Sequence, residues 1–344
     1  MSRAESRASA TSEPTATGRG GHSSPVERDG PDAWRCTALG WTPDQPSLTW
    51  TSPGGAERIS TLTLPRTLAF TVVGDRRCTG LWRGSRRVRC PFRAPVPAES
   101  TKPQCADCAT ADRRNSVAAD TALDDPRPYH LYLAWFGPGL TKCGITAAER
   151  DERRLREQGA LAHTWLGRGP LAAIRRAEIS LGTALGVVDR FTHTRKLAAR
   201  EGLRPDDDPS ADLRTMHQAA RTSPAWPDTL TRLPYHLVDH TAAYHYDRSR
   251  PPRATRQVSR LTEGAVIRGR LLSVVGPDAY LATGEQDPSR LDDVSDLTVL
   301  DLRLLCGWPM SGAQDSARST APTRPMEQRT DQAERAREAQ PGLF

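Results

Sequence analysis

From His130 onward, Leu131, Leu133 and Trp135 alternate with Tyr132, Ala134 and Phe136. Large apolar groups on both faces of one extended segment predict a strand buried on both sides. Gly137-Pro138-Gly139 interrupts the run and Leu140 to Ile145 resumes it, which is the pattern of a short hairpin. Thr146 followed three residues later by Glu149 has the form of a capping box, and Gly159 supplies a helix-ending residue, so a helix is expected between them. On that helix Arg150 and Arg154 share a face, while Arg153 lies within reach of Glu149. A second helix is expected from Pro170, with Leu171, Ile174, Leu181 and Leu185 as its apolar stripe. Glu178 falls on the same stripe.

The pattern elsewhere is less regular. Between residues 31 and 74 the segments SLTW, ISTLTL and TLAFTVV, set apart by Pro and Gly, predict a few antiparallel strands. Residues 75–112 hold four cysteines among arginines and prolines, and a polar linker leads to the 127–200 segment. Residues 205–309 form a mixed region. It opens with a weakly patterned stretch containing Pro224, Pro227 and Pro234 and ends in β-like runs, GAVIRGRLLSVV, AYLAT and LTVLDLRLLC, the first two joined by a Gly-Pro-Asp turn. Residues 1–30 are Ser/Thr/Gly/Pro-rich and are expected to be disordered. Residues 310–344 are expected to be a disordered tail or a solvated helix. The fold class this implies is α+β: a small three-stranded sheet with helices, a cysteine module, and flanking antiparallel β segments.

Charge adds a partner to this picture. The chain carries a net +7, and residues 127–200 alone account for an equal excess. A second concentration, Arg76, Arg77, Arg83, Arg86, Arg87 and Arg89 against Asp75, lies upstream. Two basic regions on an otherwise near-neutral chain point to a polyanion, DNA or RNA first. A protein-interaction scaffold, with arginine reflecting codon usage alone, is the alternative. The N-terminal stretch lacks the apolar core of a signal peptide and no run reaches the length of a membrane span, so a cytoplasmic location is expected.

In that setting the seven cysteines are read as metal ligands or core residues. Cys105-Ala-Asp-Cys108 is a knuckle that can bring two thiolates to one tetrahedral metal, with Cys78 and Cys90 as the other pair and Zn²⁺ as the expected structural ion. Loops stapled in this way would present Arg83, Arg86, Arg87 and Arg89 to a phosphate backbone. Cys36, Cys143 and Cys306 sit in apolar runs and read as core. His236, His240 and His245 lack the HExxH pattern and read as a packed or surface cluster. Glu178 on an apolar stripe has two readings: an ion pair with Arg150 or Arg154 that holds the fold, or a ligand for a divalent cation beside phosphate-holding arginines.

An apolar-Tyr strand, a short hairpin, a second strand ending in Gly, a helix with Arg and a later helix with Glu together resemble the GIY-YIG nuclease domain, over about seventy residues. Leu131-Tyr132 stands at its first motif and Lys142-Cys143-Gly144 at its second; Arg154 matches its helix arginine and Glu178 its metal-binding glutamate. The resemblance implies phosphodiester cleavage in which Tyr132 orients the nucleophile, Arg154 clamps phosphate and Glu178 holds Mg²⁺ or Mn²⁺. His130 replaces the first Gly and Lys142 the second Tyr, so an inactive nucleic-acid-binding module is the alternative. Over more of the chain, CTG, QCADC, LYLAWFGPGLTKCGIT, RRLREQGA, RRAE and DRFTHTRKL are similar to a bacterial domain-of-unknown-function family, twenty-seven ninety-seven. Asp189, Arg195 and Lys196 fall in its downstream motif, as phosphate contacts or as a polar helix face.

Overall fold

The computed structural model describes residues 33–83, 86–114, 125–188, 190–224, 226–283, 297–314 and 316–326. The expected disorder of residues 1–30, the tail beyond 326, and Asp189 lie outside these residues. The N-terminal segment supplies β1 (Trp34–Trp41), β2 (Pro46–Thr51), β3 (Glu57–Thr61) and β4 (Arg66–Val72). A small hairpin of β5 (Leu81–Arg83) and β6 (Arg86–Val88) follows, then α1 (Ala106–Arg114). The central region runs β7 (Pro128–Trp135), β8 (Thr141–Ala147), α2 (Arg153–Gln158), β9 (Ala162–Pro170), α3 (Leu171–Ala184), α4 (His193–Glu201) and α5 (Pro209–Thr222). Beyond it come β10 (Thr231–Arg232), β11 (Val238–Asp239), α6 (Thr241–Tyr244), β12 (Arg256–Val258), β13 (Val266–Val275), β14 (Asp278–Ala282), β15 (Leu297–Asp301), β16 (Pro309–Gly312) and β17 (Thr323–Pro325).

These elements make an α+β protein built on two larger sheets. One has ten strands in the order β17-β12-β15-β14-β13-β4-β16-β1-β2-β3, and the other has β10-β9-β7-β8 with β11 also paired to β9. The segment boundaries read along the chain do not coincide with the sheets. β4 pairs with β13 and β16 with β1, so the 31–74 segment and the C-terminal strands share one sheet. The strands β10 and β11, within 205–309, belong to the central sheet instead. Long-range antiparallel pairing satisfies the edge N–H and C=O groups that each segment alone would leave open. Residues expected in the tail also join this sheet: β16 reaches Gly312 and β17 pairs with β12.

The central hairpin forms as the sequence pattern predicts. β7 and β8 pair in register from Tyr129↔Ala147 to Trp135↔Thr141, and Leu131 to Phe136 are each at most 1% exposed. The helix expected from Thr146 does not start there. Thr146 is buried inside β8 opposite His130, a short 3-10 turn spans Ala148–Arg150, and α2 begins only at Arg153. Glu149 pairs with Arg127 rather than with Arg153 or a helix N-terminus. Continuing the ladder to Ala147 buries Thr146 against β7, which outweighs what its hydroxyl could gain as a cap. Gly159 does end α2, with φ 73°. Pro170 lies at the cap of α3 rather than one residue inside it.

One apolar cluster runs through both large sheets. Trp41 of β1 meets Tyr244 edge-on at 5.2 Å and donates from Nε1 to the Gly276 carbonyl at 3.4 Å. The Tyr244 hydroxyl donates to the Ala160 carbonyl at 2.9 Å and that of Tyr246 to the Arg200 carbonyl at 2.8 Å. At this junction the turn after β13 touches the end of α2: a Cβ on Gly276 (φ 61°) would lie 2.7 Å from the Gly159 nitrogen. Beneath it Arg200 of α4, 1% exposed, is ion-paired with the fully buried Asp278 of β14. No helix among the described residues is long and apolar enough to cross a membrane.

Candidate functional site

Strand alternation divides the hairpin's side chains between two environments. Leu131, Leu133 and Cys143 face α3, whose buried residues include Ile174, Ala177 and Leu181. Tyr132, Ala134 and Phe136 form a separate cluster with Leu155 of α2, and Phe191 and Ala199 around α4 pack against it. Lys142, opposite Ala134, belongs to this second face, with its ammonium 5.7 Å from the Tyr132 ring centre. The Tyr132 ring lies so close over Gly144 that a Cβ there would stand 2.6 Å from the phenolic oxygen. That oxygen accepts from Gln158 Nε2 at 3.2 Å.

A second lysine completes this corner. Lys196 Nζ donates to the Gln158 carbonyl at 3.1 Å and stands 3.9 Å from the Phe136 ring centre. Burial, reinforced by the charges of Lys142, Arg200 and Arg154, pushes its pKa down to about 7, against the pull of Asp278. A cation held among cations in a poorly solvated place is stabilised by any anion that enters, so the corner is electrostatically suited to a phosphate.

The arginines of the central region divide by use. Arg150 and Arg154 share Glu157, at 2.6 and 3.6 Å. Arg153 and Arg195 are exposed, the latter 5.3 Å over the Phe191 ring. Glu178 is half-buried on α3, and its charge adds to burial in raising the Cys143 thiol pKa to about 12. The structure thus gathers Tyr132, Lys142 and Lys196 at one corner, with the charge of Arg154 acting on Lys196, and carries Glu178 on α3, the helix that packs on the Leu131–Cys143 face.

The four cysteines converge. The sulfurs of Cys78, Cys90, Cys105 and Cys108 all lie within 4.8 Å of one another, and Cys90 and Cys105 are 4.0 Å apart. Thiolates around a tetrahedral Zn²⁺ are separated by about 3.8 Å for bonds of about 2.3 Å. Cys78 Sγ accepts from the backbone N–H of Cys105 at 3.1 Å and of Gly80 at 3.4 Å, a setting suited to a charged thiolate. Burial works to raise the Cys90 thiol, but backbone N–H donors at Ala94 and Phe92 outweigh it and its pKa falls; burial raises those of Cys78 and Cys108. Four sulfurs so placed can bind a metal ion such as zinc.

Around this cluster the upstream arginines are not equivalent. Arg76, 3% exposed, donates to the Ser100 carbonyl at 2.7 Å and the Cys306 carbonyl at 3.0 Å. Arg87 holds the Thr79 carbonyl through Nε at 2.8 Å. Arg87 was expected on the outer surface with Arg83, Arg86 and Arg89; its guanidinium instead ties the hairpin to the cysteine loop, while the other three are exposed. Trp82 and Phe92 stand exposed on the same module, at 45% and 76%. Cys36, Cys143 and Cys306 are buried as expected. His240 packs inward and its Nε2 lies 2.9 Å from Nδ1 of His163; burial drives both histidines toward the neutral form.

Sequence reasoning did not single out Gln158, Arg200, His193 or Asp278. Gln158 carried no local signal, and Asp278 read as one residue of a Gly-Pro-Asp turn. Their roles depend on α4 and the β13–β14 turn meeting the end of α2, contacts between distant parts of the chain.

Fold and site define an α+β protein with a basic corner on a two-faced hairpin and a four-cysteine cluster able to take a metal ion. Residues 65–309 match the family described as Protein of unknown function (DUF2797), and the chain belongs to that family. Comparisons with curated proteins and with solved structures return no match.

Proposed function

We propose that this protein binds DNA or RNA through its phosphate backbone, on a GIY-YIG-like domain steadied by a zinc-ribbon-like module that holds one structural Zn²⁺. The observation that carries the reading is the placement of Lys142 and Lys196 at the Tyr132 corner, where the charge of Arg154 also acts on Lys196. Half-burying a lysine beside two other cations destabilises the free protein locally and is offset when a phosphate arrives. Exposed Arg86 and Arg89 next to Trp82 and Phe92 supply a second surface of the kind that contacts backbone and unstacked bases. With four thiolate ligands the zinc site is closed and serves folding rather than chemistry.

Cleavage assisted by Mg²⁺ or Mn²⁺ at Glu178 is the second reading and rests on the resemblance. Glu178 lies on α3, which packs on the Leu131–Cys143 face of the hairpin, whereas Tyr132 belongs to the cluster on the other face, and this favours binding without that metal chemistry. The test is fluorescence anisotropy with labelled DNA and RNA at several salt concentrations, in parallel with a cleavage assay in Mg²⁺ or Mn²⁺. Arg154→Ala is expected to weaken binding and reduce the salt slope by about one. Salt-independent or absent binding would overturn the reading in favour of a protein-interaction scaffold. Cleavage abolished in a folded Glu178→Gln protein would establish the metal-assisted reaction.

A further inference from the structure

α4 presents His193, Lys196 and Arg200 at steps of three and four, so they share one helix face, with His193 and Lys196 about 5–6 Å apart at Cβ. That face meets the start of β14. His193 Nε2 lies 2.5 Å from Asp278 Oδ1, and the other oxygen of Asp278 is ion-paired with Arg200. Asp278 has no exposed side-chain surface whereas that of His193 is 25% exposed. Asp301 of β15 stands 4.0 Å from the same imidazole nitrogen and is held by Arg303 at 2.6 Å.

His193, Asp278 and Asp301 are close enough together to suggest a metal site. The charge balance argues otherwise. Each carboxylate already has its own arginine, Arg200 for Asp278 and Arg303 for Asp301, so little net negative charge is left for a divalent cation. What remains is an imidazole with one nitrogen locked by a buried carboxylate and its ring reaching solvent one helical turn from Lys196. That is a base oriented by a third group.

We propose that His193, positioned by Asp278, is the general base of a metal-independent phosphodiester hydrolysis at the Tyr132–Lys142–Lys196 corner. The proposal rests on the phosphate-binding reading above. His193 takes a proton from water as the water oxygen forms its bond to phosphorus. The P–O bond to the leaving sugar breaks, its electron pair going to the sugar oxygen, and the Lys196 ammonium gives that oxygen a proton. Imidazolium and amine then exchange protons with solvent, which restores both. Asp278 touches no substrate and is a positioning residue. Asp278 and Asp301 stand against the His193 ring from the sheet side, paired with Arg200 and Arg303 respectively, and Lys196 and Arg200 lie on its own helix.

The experiment uses the full-length zinc-loaded chain with labelled single-stranded and duplex DNA and RNA, without added divalent metal and again with Mg²⁺. Anisotropy on the same substrates reports binding separately. The wild type is expected to cleave at least one substrate without added metal. His193→Gln and His193→Ala should lose about 10²-fold or more in rate while binding is kept. Imidazole added to His193→Gly should restore part of the rate, with an acidic limb of the pH profile that tracks the pKa of the imidazole derivative used. Asp278→Asn, which also strands the Arg200 charge and is therefore compared only where circular dichroism shows it folded, should lower the rate with KM unchanged. A wild type that binds but leaves every substrate intact would overturn the proposal and leave the binding reading standing. So would cleavage that needs Mg²⁺, survives His193→Gln and fails in Glu178→Gln. Absence of binding would overturn both.

Discussion

Replacing Arg200 by methionine tests the joint between the central region and the large sheet. The Arg200 side chain is 1% exposed and Asp278 has no exposed side-chain surface, so methionine fills most of the volume while removing the guanidinium that is ion-paired with this carboxylate. His193 remains at 2.5 Å as a hydrogen-bond partner. Removing one member of a buried pair costs about 3–5 kcal/mol, because the remaining charge is stranded in a dry place. Against a total stability of about 5–15 kcal/mol, such a loss would be plain in urea or guanidinium unfolding. Replacing both members, Arg200→Met with Asp278→Leu, removes the stranded charge and should recover most of the loss. The sign with pH is fixed by Asp278. Burial works to raise its pKa, but the Arg200 charge and the His193 hydrogen bond overcome this and hold it below the usual carboxylate value. Its contribution is therefore complete above the unfolded value of about 4 and is lost as pH falls through the lower folded value. In Arg200→Met the stranded carboxylate is relieved by protonation, so the difference from wild type should shrink as pH falls. A loss under about 1 kcal/mol, or one of constant size from neutral to acid pH, would refute the buried-pair argument.

Three further outcomes follow from other parts of the molecule. Cys105→Ser should abolish stoichiometric zinc in the purified protein and unfold the 75–112 region, as measured by metal analysis and hydrogen exchange, because three thiolates leave the tetrahedron open. Gly144→Ala drives a methyl to 2.6 Å from the Tyr132 hydroxyl, and since Tyr132 is 1% exposed and cannot swing away, a loss of about 1–3 kcal/mol is expected in denaturant unfolding. Lys196 gives two readouts of opposite sign. With its folded pKa near 7, the unfolded chain binds more protons above that value, so this lysine makes stability rise from about pH 7 to about pH 10.4. Phosphate affinity should fall over the lower part of the same range as the ammonium is lost, and Lys196→Met should flatten both curves.

Some of this protein was legible without a structure because the forces involved are local. The hairpin from His130 to Ile145 was readable from alternation and from Gly137-Pro138-Gly139, and the end of α2 from Gly159, since turns and left-handed caps are decided by a few adjacent residues. The capping box at Thr146 was a sound local signal that lost to a longer-range one, the pairing of β8 with β7 as far as Ala147. The cysteine knuckle was visible at Cys105 and Cys108, and the chain itself contains the thiols that converge with it, Cys78 and Cys90.

What the sequence by itself determined is therefore the α+β class, the buried hairpin, the four-cysteine cluster and the basic character of the central region. Tertiary structure alone decided which charges remain available. It buried Arg76 and half-buried Arg87 as anchors, tied Arg150 and Arg154 to Glu157, lowered the pKa of Lys196 and let the Glu178 charge act on Cys143. It also joined His193 and Arg200 to Asp278, some eighty residues away along the chain. The physical reason is range: turn and strand preferences act between neighbours, whereas desolvation and ion pairing depend on what the whole fold brings within a few ångströms.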